Sequence, residues 1–308
     1  MTDIVEWYRL ERPSLFKHMI GQEAVVKQVK QIFDKKKLPP HSMLLCGPTG
    51  TGKTTLARII AKKLGATEVK EFNCAADSRG IDFIRSLADI SRRASLDGSP
   101  RVFILDECHQ ITGDAQDAAL KLTEDVPENV WYIFCSSEPE KLRATFRGRL
   151  TTYALSALTS TQLESLAKKI CDKYGVTITD NQMERLVECA RGSARQLIVI
   201  LQQLSELDAD ERKSLLEGFN VQDASESLAK LLVAGKPWKE VAAVLKELKE
   251  EPEKVRRGIL AYATAILLNQ PADNQFRRRL EAICEAFRYD YFATGRSGLI
   301  ISCFECCK

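Results

Sequence analysis

The segment SMLLCGPTGTGKTTLARIIAKKL, residues 42–64, constrains the fold more than any other part of this chain of 308 residues. It sets a short apolar strand, a glycine-rich turn and an amphipathic helix in succession, and it matches G-x-x-x-x-G-K-[ST] at Gly47, Gly52, Lys53 and Thr54. In the turn Gly47-Pro48-Thr49-Gly50-Thr51-Gly52, Gly50 and Gly52 let the backbone curl so that successive amides point into one concavity. The helix that follows, opening on Lys53, Thr54 and Thr55, directs the positive end of its dipole at bound phosphates. Lys53 then reaches the β- and γ-phosphates of a nucleoside triphosphate, and the Thr54 hydroxyl coordinates Mg²⁺.

A second stretch, RVFILDECHQIT at 101–112, supplies the acids such a site needs. Its apolar run ends in Asp106, which places a carboxylate beside the phosphate loop to hold the Mg²⁺ water shell. Glu107 follows, placed to orient and activate an attacking water. Spelled out, the box reads Asp-Glu-x-His, the signature of one helicase superfamily, but strand plus acidic pair also fits an oligomeric ATPase. Coarse organisation favours the second. Strand-like runs at 42–46, 69–74, 101–106, 130–136 and 150–155 alternate with helical periodicity, which predicts an α/β domain with a parallel sheet covered by helices. Beyond 155 the pattern is helical almost throughout, as in STQLESLAKKICDKYG, TDNQMERLVECA and SARQLIVILQQLSEL. A helicase of that class needs a second strand-rich half, and none is legible. His109 then reads as a residue opening the helix after the strand.

Composition excludes several classes. The chain is 44% hydrophobic, 28% charged and 7% aromatic, which suits a folded protein. A net charge of +3 requires any nucleic-acid contact to come from a local patch. The opening MTDIVEWYRL carries acids and no apolar core, so it reads as no signal peptide. No apolar run approaches the ~18 residues of a membrane span. The ten cysteines show no disulfide-like framework and read as thiols of a reducing compartment. The tail CFECC lacks a second ligand pair for zinc.

GPTGTGKTT, FILDECHQIT, FCSSEPEKLRATFRGRLTTYAL and ARGSARQLIVIL occur in the order and spacing of AAA+ ATPases. Within these, the chain resembles the clamp-loader ATPases: replication factor C small subunits, the bacterial polymerase III gamma subunit and phage clamp loaders. WYRLERPSLFKHMIGQEAVV is similar to the family's amino-terminal segment, where an Arg-Pro and a Gly-Gln flank the adenine pocket. FNCAADSRGIDFIRSL resembles its Asn-Ala-Ser-Asp-x-Arg-Gly-Ile-Asp segment, which leads into a helix facing DNA. The likeness covers about residues 4 to 205. The gamma subunit's Cys-rich zinc insertion is missing here, where only Cys74 stands, so the outline is nearer the replication factor C small subunits and phage loaders.

The resemblance implies an AAA+ nucleotide-binding domain at 1–153, a helical lid domain at 154–207 and an all-helical collar at 208–308. It gives Ser137 the role of sensing the γ-phosphate, with Ser136 as an alternative, and makes Arg195 a cis arginine from the lid. Arg149 takes the place of the arginine that enters a neighbouring subunit's ATP site, with Arg147 competing because Gly148-Arg149-Leu150 departs from the family's Ser-Arg-Cys. Such an arginine neutralises charge on the transferring phosphoryl group, an effect of roughly 10³–10⁵ in rate. In the adenine pocket, Leu10-Glu11-Arg12-Pro13 replaces a Lys-aromatic-Arg-Pro, so Tyr8 or Trp7 is left to supply a ring and Ile20 an apolar contact.

For DNA, Ser78 reads as an N-cap before a helix whose Arg79 meets phosphate. Arg85 and Lys121 would lie on helices facing a ring interior. The implied cofactors are ATP and Mg²⁺. The implied partners are other subunits in a ring (a pentamer in the family), a sliding clamp and primer–template DNA, with no membrane, in the cytoplasm or nucleoid, or in the nucleus of a eukaryote. The expected activity is DNA-dependent ATP hydrolysis that opens the clamp and loads it. An AAA+ remodeller acting on protein partners is the alternative, and a DNA helicase the third reading.

Overall fold

The computed structural model describes residues 6–35, 37–76, 80–92, 98–208, 211–212, 215–216, 224–248, 251–268, 275–291 and 293–307. The chain divides into two compact units, Met1–Ala209 and Asp210–Lys308. Arg79 and Ser78 lie outside the described residues.

The first unit is built on five parallel strands: β1 (Ser42–Cys46), β2 (Glu68–Asn73), β3 (Arg101–Asp106), β4 (Val130–Ser136) and β5 (Thr151–Ala154). They lie in the order β2-β3-β4-β1-β5. All five fall within a residue or so of the runs expected from the apolar pattern. The three central strands are continuous apolar runs because a parallel sheet covered on both faces exposes neither. β1, β3 and β4 are accordingly buried almost end to end, whereas edge strand β2 alternates.

Alternation of side chains across the pleat sorts each strand between two cores. Leu44, Phe103, Leu105, Tyr132 and Phe134 point to one face, against Ile84 and Leu87 of α4 (Ile81–Arg92) and Ala115 and Ala119 of α5 (Gly113–Glu124). Met43, Leu45, Val102, Ile104 and Ile133 point to the other, against Val25 and Val29 of α2 (Glu23–Asp34) and Leu56 and Ile60 of α3 (Lys53–Lys63). The register that pairs Leu44 with Phe134 and Phe103 with Tyr132 brings the carboxyl ends of β1, β3 and β4 to one edge. Open α/β sheets bind ligands at that edge.

Three helices complete the unit: α7 (Ser160–Tyr174), α8 (Asp180–Ala190) and α9 (Ala194–Ser205). Their starts are written locally. Thr159 with Gln162, and Thr179 with Gln182, form capping boxes, and Ser193 caps α9. Short α1 (Trp7–Leu10) is pinned to this bundle, with Trp7 stacked on Tyr174 at 3.9 Å and its amide donating to Gln202. The remaining short helix, α6 (Ala144–Arg147), precedes β5.

The second unit comprises, among the described residues, α10 (Ala224–Val233), α11 (Trp238–Glu247), α12 (Pro252–Leu267), α13 (Gln275–Ala286) and α14 (Gly295–Glu305). Leu228, Leu232, Val241, Val255, Ile259, Ile283 and Phe287 fill its core. Buried Glu253 anchors it, accepting from Arg256, Arg257 and the Tyr291 amide. No helix among the described residues is long and apolar enough to cross a membrane.

Candidate nucleotide-binding site

Beyond β1 the chain turns through three left-handed glycines, Gly47, Gly50 and Gly52, before α3 begins at Lys53. The turn is braced from two sides. Gln22 bridges it to the strand β5 exit, donating to the Ser156 carbonyl at 2.7 Å and accepting from the Ser156 amide at 3.1 Å, with its amide nitrogen also 3.5 Å from Thr51 O. Thr51 Oγ1 donates to Pro48 O at 2.8 Å. Lys53 is 5% exposed, and its ammonium donates to the carbonyls of Gly47 at 2.8 Å and Pro48 at 3.0 Å. Burial pushes its pKa down against the pull of Glu107 and Asp106.

The acidic pair meets this turn from the end of β3. Thr54 Oγ1 donates to Asp106 Oδ2 at 2.8 Å, while Asp106 Oδ1 accepts the Glu107 amide at 3.1 Å. Glu107 sits at φ 53°, a left-handed conformation that costs a residue with a Cβ about 1–2 kcal/mol. Its carboxylate takes a hydrogen bond from Ser137 Oγ at 3.0 Å. Of the two serines ending β4, Ser137 therefore reaches the acid. Ser136 is fully buried and accepts the Glu138 amide at 3.1 Å, turning the chain out of the strand.

A cleft of about 300 Å³ opens here. Thr49 to Thr55, Asp106 and Glu107 line it from the sheet, Tyr8, Glu11, Arg12 and Ile20 from the amino-terminal segment, and Arg195 from α9. Arg195 lies 5.7 Å from the Tyr8 ring centroid. Arg12 is half-buried, and burial followed by the charge of Arg58 lowers its pKa. Between the two candidate rings the structure separates Trp7, stacked on Tyr174, from Tyr8, which faces the cleft. Glu11 also lines the cleft, but its carboxylate is occupied by Lys173 at 2.6 Å and Tyr174 at 2.7 Å. Burial works to raise its pKa, and those two bonds outweigh it and lower it.

Other expected residues fall elsewhere. Gly47 and Pro48 serve as acceptors for Lys53 and do not line the cleft. Exposed Arg149 lies away from its own chain's cleft and pairs with Glu124 at 2.5 Å. Arg147, also exposed, donates to Pro139 O at 3.2 Å. Arg85 and Lys121 are exposed on α4 and α5, which pack together.

One expectation is corrected. His109 does not open α5, which begins at Gly113 behind Thr112. It is 8% exposed, in a 3-10 turn, and its ring lies between Glu107 and Glu138. Leu158, Leu166 and Ile198, which add apolar surface to the cleft, also escaped the sequence reading. Leu166 and Ile198 read only as positions on apolar helix faces, and Leu158 lies in the segment before α7.

A phosphate-loop turn, a Thr–Asp pair, a strand-end glutamate and an arginine-bearing helical bundle together make a P-loop nucleotide site at the carboxyl edge of a parallel sheet. Residues 43–158 match the ATPase family associated with various cellular activities (AAA), so this part of the chain is an AAA domain. More particularly, the chain is similar to the DNA polymerase III subunit gamma/tau of Mycobacterium tuberculosis (strain ATCC 25618 / H37Rv), 32% identical over 222 residues, 64% of this chain and 38% of that one. It is also similar to the DNA polymerase III subunit tau of Bacillus subtilis, 26% identical over 92% of this chain and 54% of that one. The replication factor C small subunit of Natronomonas pharaonis is 31% identical over 64% of this chain and 61% of its own. The chain spans less than two thirds of the length of each of these relatives. Among solved structures, the Thermotoga maritima RuvB Holliday junction branch migration motor superposes with a TM-score of 0.56 at 21% identity, over 77% of this chain and 85% of that one, a likeness of fold.

Proposed function

We propose that the protein is an ATPase subunit of a sliding-clamp loader, in which ATP binding and hydrolysis open a polymerase processivity clamp and load it onto primer–template DNA. The observation that carries this reading is the similarity to DNA polymerase III gamma/tau and to the replication factor C small subunit, each over 64% of the chain. In this reading residues 154–207 are the lid domain, and 208–308 are a collar that holds a ring of subunits, a pentamer, together.

The roles proposed for the site residues are supported by their placement. The Lys53 ammonium, now shared between two loop carbonyls, turns to the β- and γ-phosphates. Thr54 Oγ1 and Asp106 Oδ2 are oxygen donors that would hold Mg²⁺, which when bound would neutralise charge on the phosphates. Glu107 accepts the proton of the attacking water. Ser137, within reach of both Glu107 and the end of β4, reports on the γ-phosphate. Arg195 acts from the lid in the same chain. Arg149, exposed and outside its own cleft, is suited to act on a neighbour's ATP. Arg85 and Lys121, exposed on adjacent helices, are the candidates for DNA phosphates, together with Arg79.

The test is ATP turnover with primed DNA plus clamp, with single-stranded DNA alone, and with neither. Clamp loading requires the largest rate with primed DNA and clamp together. Equal stimulation by single-stranded DNA alone would refute it.

A further inference from the structure

We propose that His109 is a positioning residue for ATP hydrolysis, which holds the Glu107 carboxylate in place and ties it to the loop that follows β4. The proposal rests on the reading of Glu107 as the base that activates water.

The imidazole is nearly sealed from solvent, with its side chain 4% exposed. Each ring nitrogen faces a carboxylate: Nδ1 lies 3.3 Å from Glu107 Oε2 and Nε2 lies 3.2 Å from Glu138 Oε1. Nδ1 also lies 3.4 Å from Ser136 Oγ. The second oxygen of Glu138 pairs with Lys141 at 2.7 Å, and its amide donates to Ser136 Oγ. The ring thus spans two segments that sequence separates by some thirty residues, one ending β3 and the other ending β4. A packing histidine would be expected among apolar neighbours with one satisfied nitrogen. Here both nitrogens are turned to acids.

The consequence for Glu107 is asymmetric. Its Oε2 is engaged twice, by Ser137 Oγ at 3.0 Å and by His109 at 3.3 Å, which leaves Oε1 as the oxygen to receive a proton. The Glu107 backbone is left-handed and its carbonyl accepts the Gln110 amide at 2.9 Å, which sets where the side chain leaves the chain but not how the carboxylate is turned. The carboxylate is therefore fixed by these side-chain contacts. A base displaced by about 1 Å loses on the order of 10²-fold in rate, because the reacting atoms must already be in near-attack geometry. His109 does not itself line the cleft and reaches it only through Glu107, so its loss should leave ATP binding alone.

The experiment measures steady-state turnover and ATP affinity in His109→Ala, His109→Asn, His109→Gln and Glu138→Gln, with Glu107→Gln alongside. Asparagine places an amide near Nδ1 and keeps the contact to Glu107. Glutamine extends towards Nε2 and keeps the contact to Glu138. The expected result is a kcat lowered about 10- to 100-fold in His109→Ala, partly restored in Asn and less so in Gln, with ATP affinity within about twofold throughout. Glu138→Gln, at a half-buried position, should lower kcat several-fold, and its effect should vanish in the His109→Ala background. A wild-type kcat in His109→Ala overturns the proposal, as does an asparagine variant no better than alanine. If the alanine variant does not fold, a wild-type kcat in Glu138→Gln overturns it instead. Should Glu107→Gln itself turn over at the wild-type rate, the assignment of the base fails, and that outcome is distinct from a failure confined to His109.

Discussion

Gly50→Ala tests how closely the phosphate loop and α9 are fitted to each other. Gly50 is left-handed at φ 78°. An alanine there takes up a conformation that costs about 1–2 kcal/mol. The added Cβ also runs into Ser193 Oγ, and it lies 3.1 Å from Ser193 Cβ and 3.3 Å from Arg195 Cβ. The serine hydroxyl can rotate aside only by giving up its hydrogen bond from the Gln196 amide at 3.2 Å, the N-cap of α9. Losing a cap costs about 1 kcal/mol. The substitution should therefore destabilise the first unit by about 2–3 kcal/mol. At about 2–4 °C per kcal/mol for a unit of this size, Tm should fall by about 4–12 °C. Ser193→Gly removes both colliding atoms at a cost of only a few tenths of a kcal/mol, because glycine is itself a fair N-cap. A cycle of wild type, both single variants and the double variant, read by calorimetry on the first unit's transition, should then show about 1 kcal/mol of coupling, the double variant recovering the cap but not the φ cost. Additivity within about 0.3–0.5 kcal/mol would refute the collision and with it the close approach of α9 to the loop.

Three further outcomes are expected. Arg149→Ala and Lys53→Ala subunits, each inactive alone, should recover ATPase activity when mixed, since one supplies an intact loop and the other an intact arginine; mixed rings verified by native mass that stay inactive would shift the role to Arg147. Replacing Arg85 and Lys121 by glutamate should weaken stimulation by primed DNA, leave basal turnover unchanged and flatten the dependence of DNA affinity on salt, because fewer counterions are released; a salt slope equal to wild type would remove these helices from the DNA surface. In the second unit, Arg256 above all holds the Glu253 carboxyl down to about 2, with help from the Tyr291 amide and Arg257 against the cost of burial. The native state thus keeps this group ionised where the unfolded chain has protonated it, so its stabilisation is full above the ordinary carboxylate range and is lost as pH falls towards 2. Unfolding of the second unit followed across that window should show a flatter pH dependence in Glu253→Gln, and an unchanged slope would rule out the assignment.

What the amino-acid sequence determined by itself is the part of this protein in which neighbours along the chain are neighbours in space. The turn from Gly47 to Gly52 acts through its own backbone and leads directly into Lys53 and Thr54, so eight consecutive residues carry the phosphate loop entire. Asp106 and Glu107 are legible because the run before them, Val102 to Leu105, is apolar on both faces, as a strand buried in the middle of a parallel sheet must be. The capping boxes at Thr159 and Thr179 mark helix starts for the same local reason. Tertiary structure decided the rest, where a side chain's meaning lies in a partner far along the chain. Trp7 and Tyr8 are adjacent in sequence, yet stacking on Tyr174 turns one away and leaves the other at the cleft. Ser136 and Ser137 differ by one position, and the pleat buries the first while the second meets Glu107. His109 reads from sequence as a residue opening a helix because nothing within its own segment discloses Glu138, which arrives from the end of β4 only when β3 and β4 pair in register. A parallel sheet joins strands through long crossovers, so the residues that converge at its carboxyl edge are far apart in the chain, and no local pattern records their meeting.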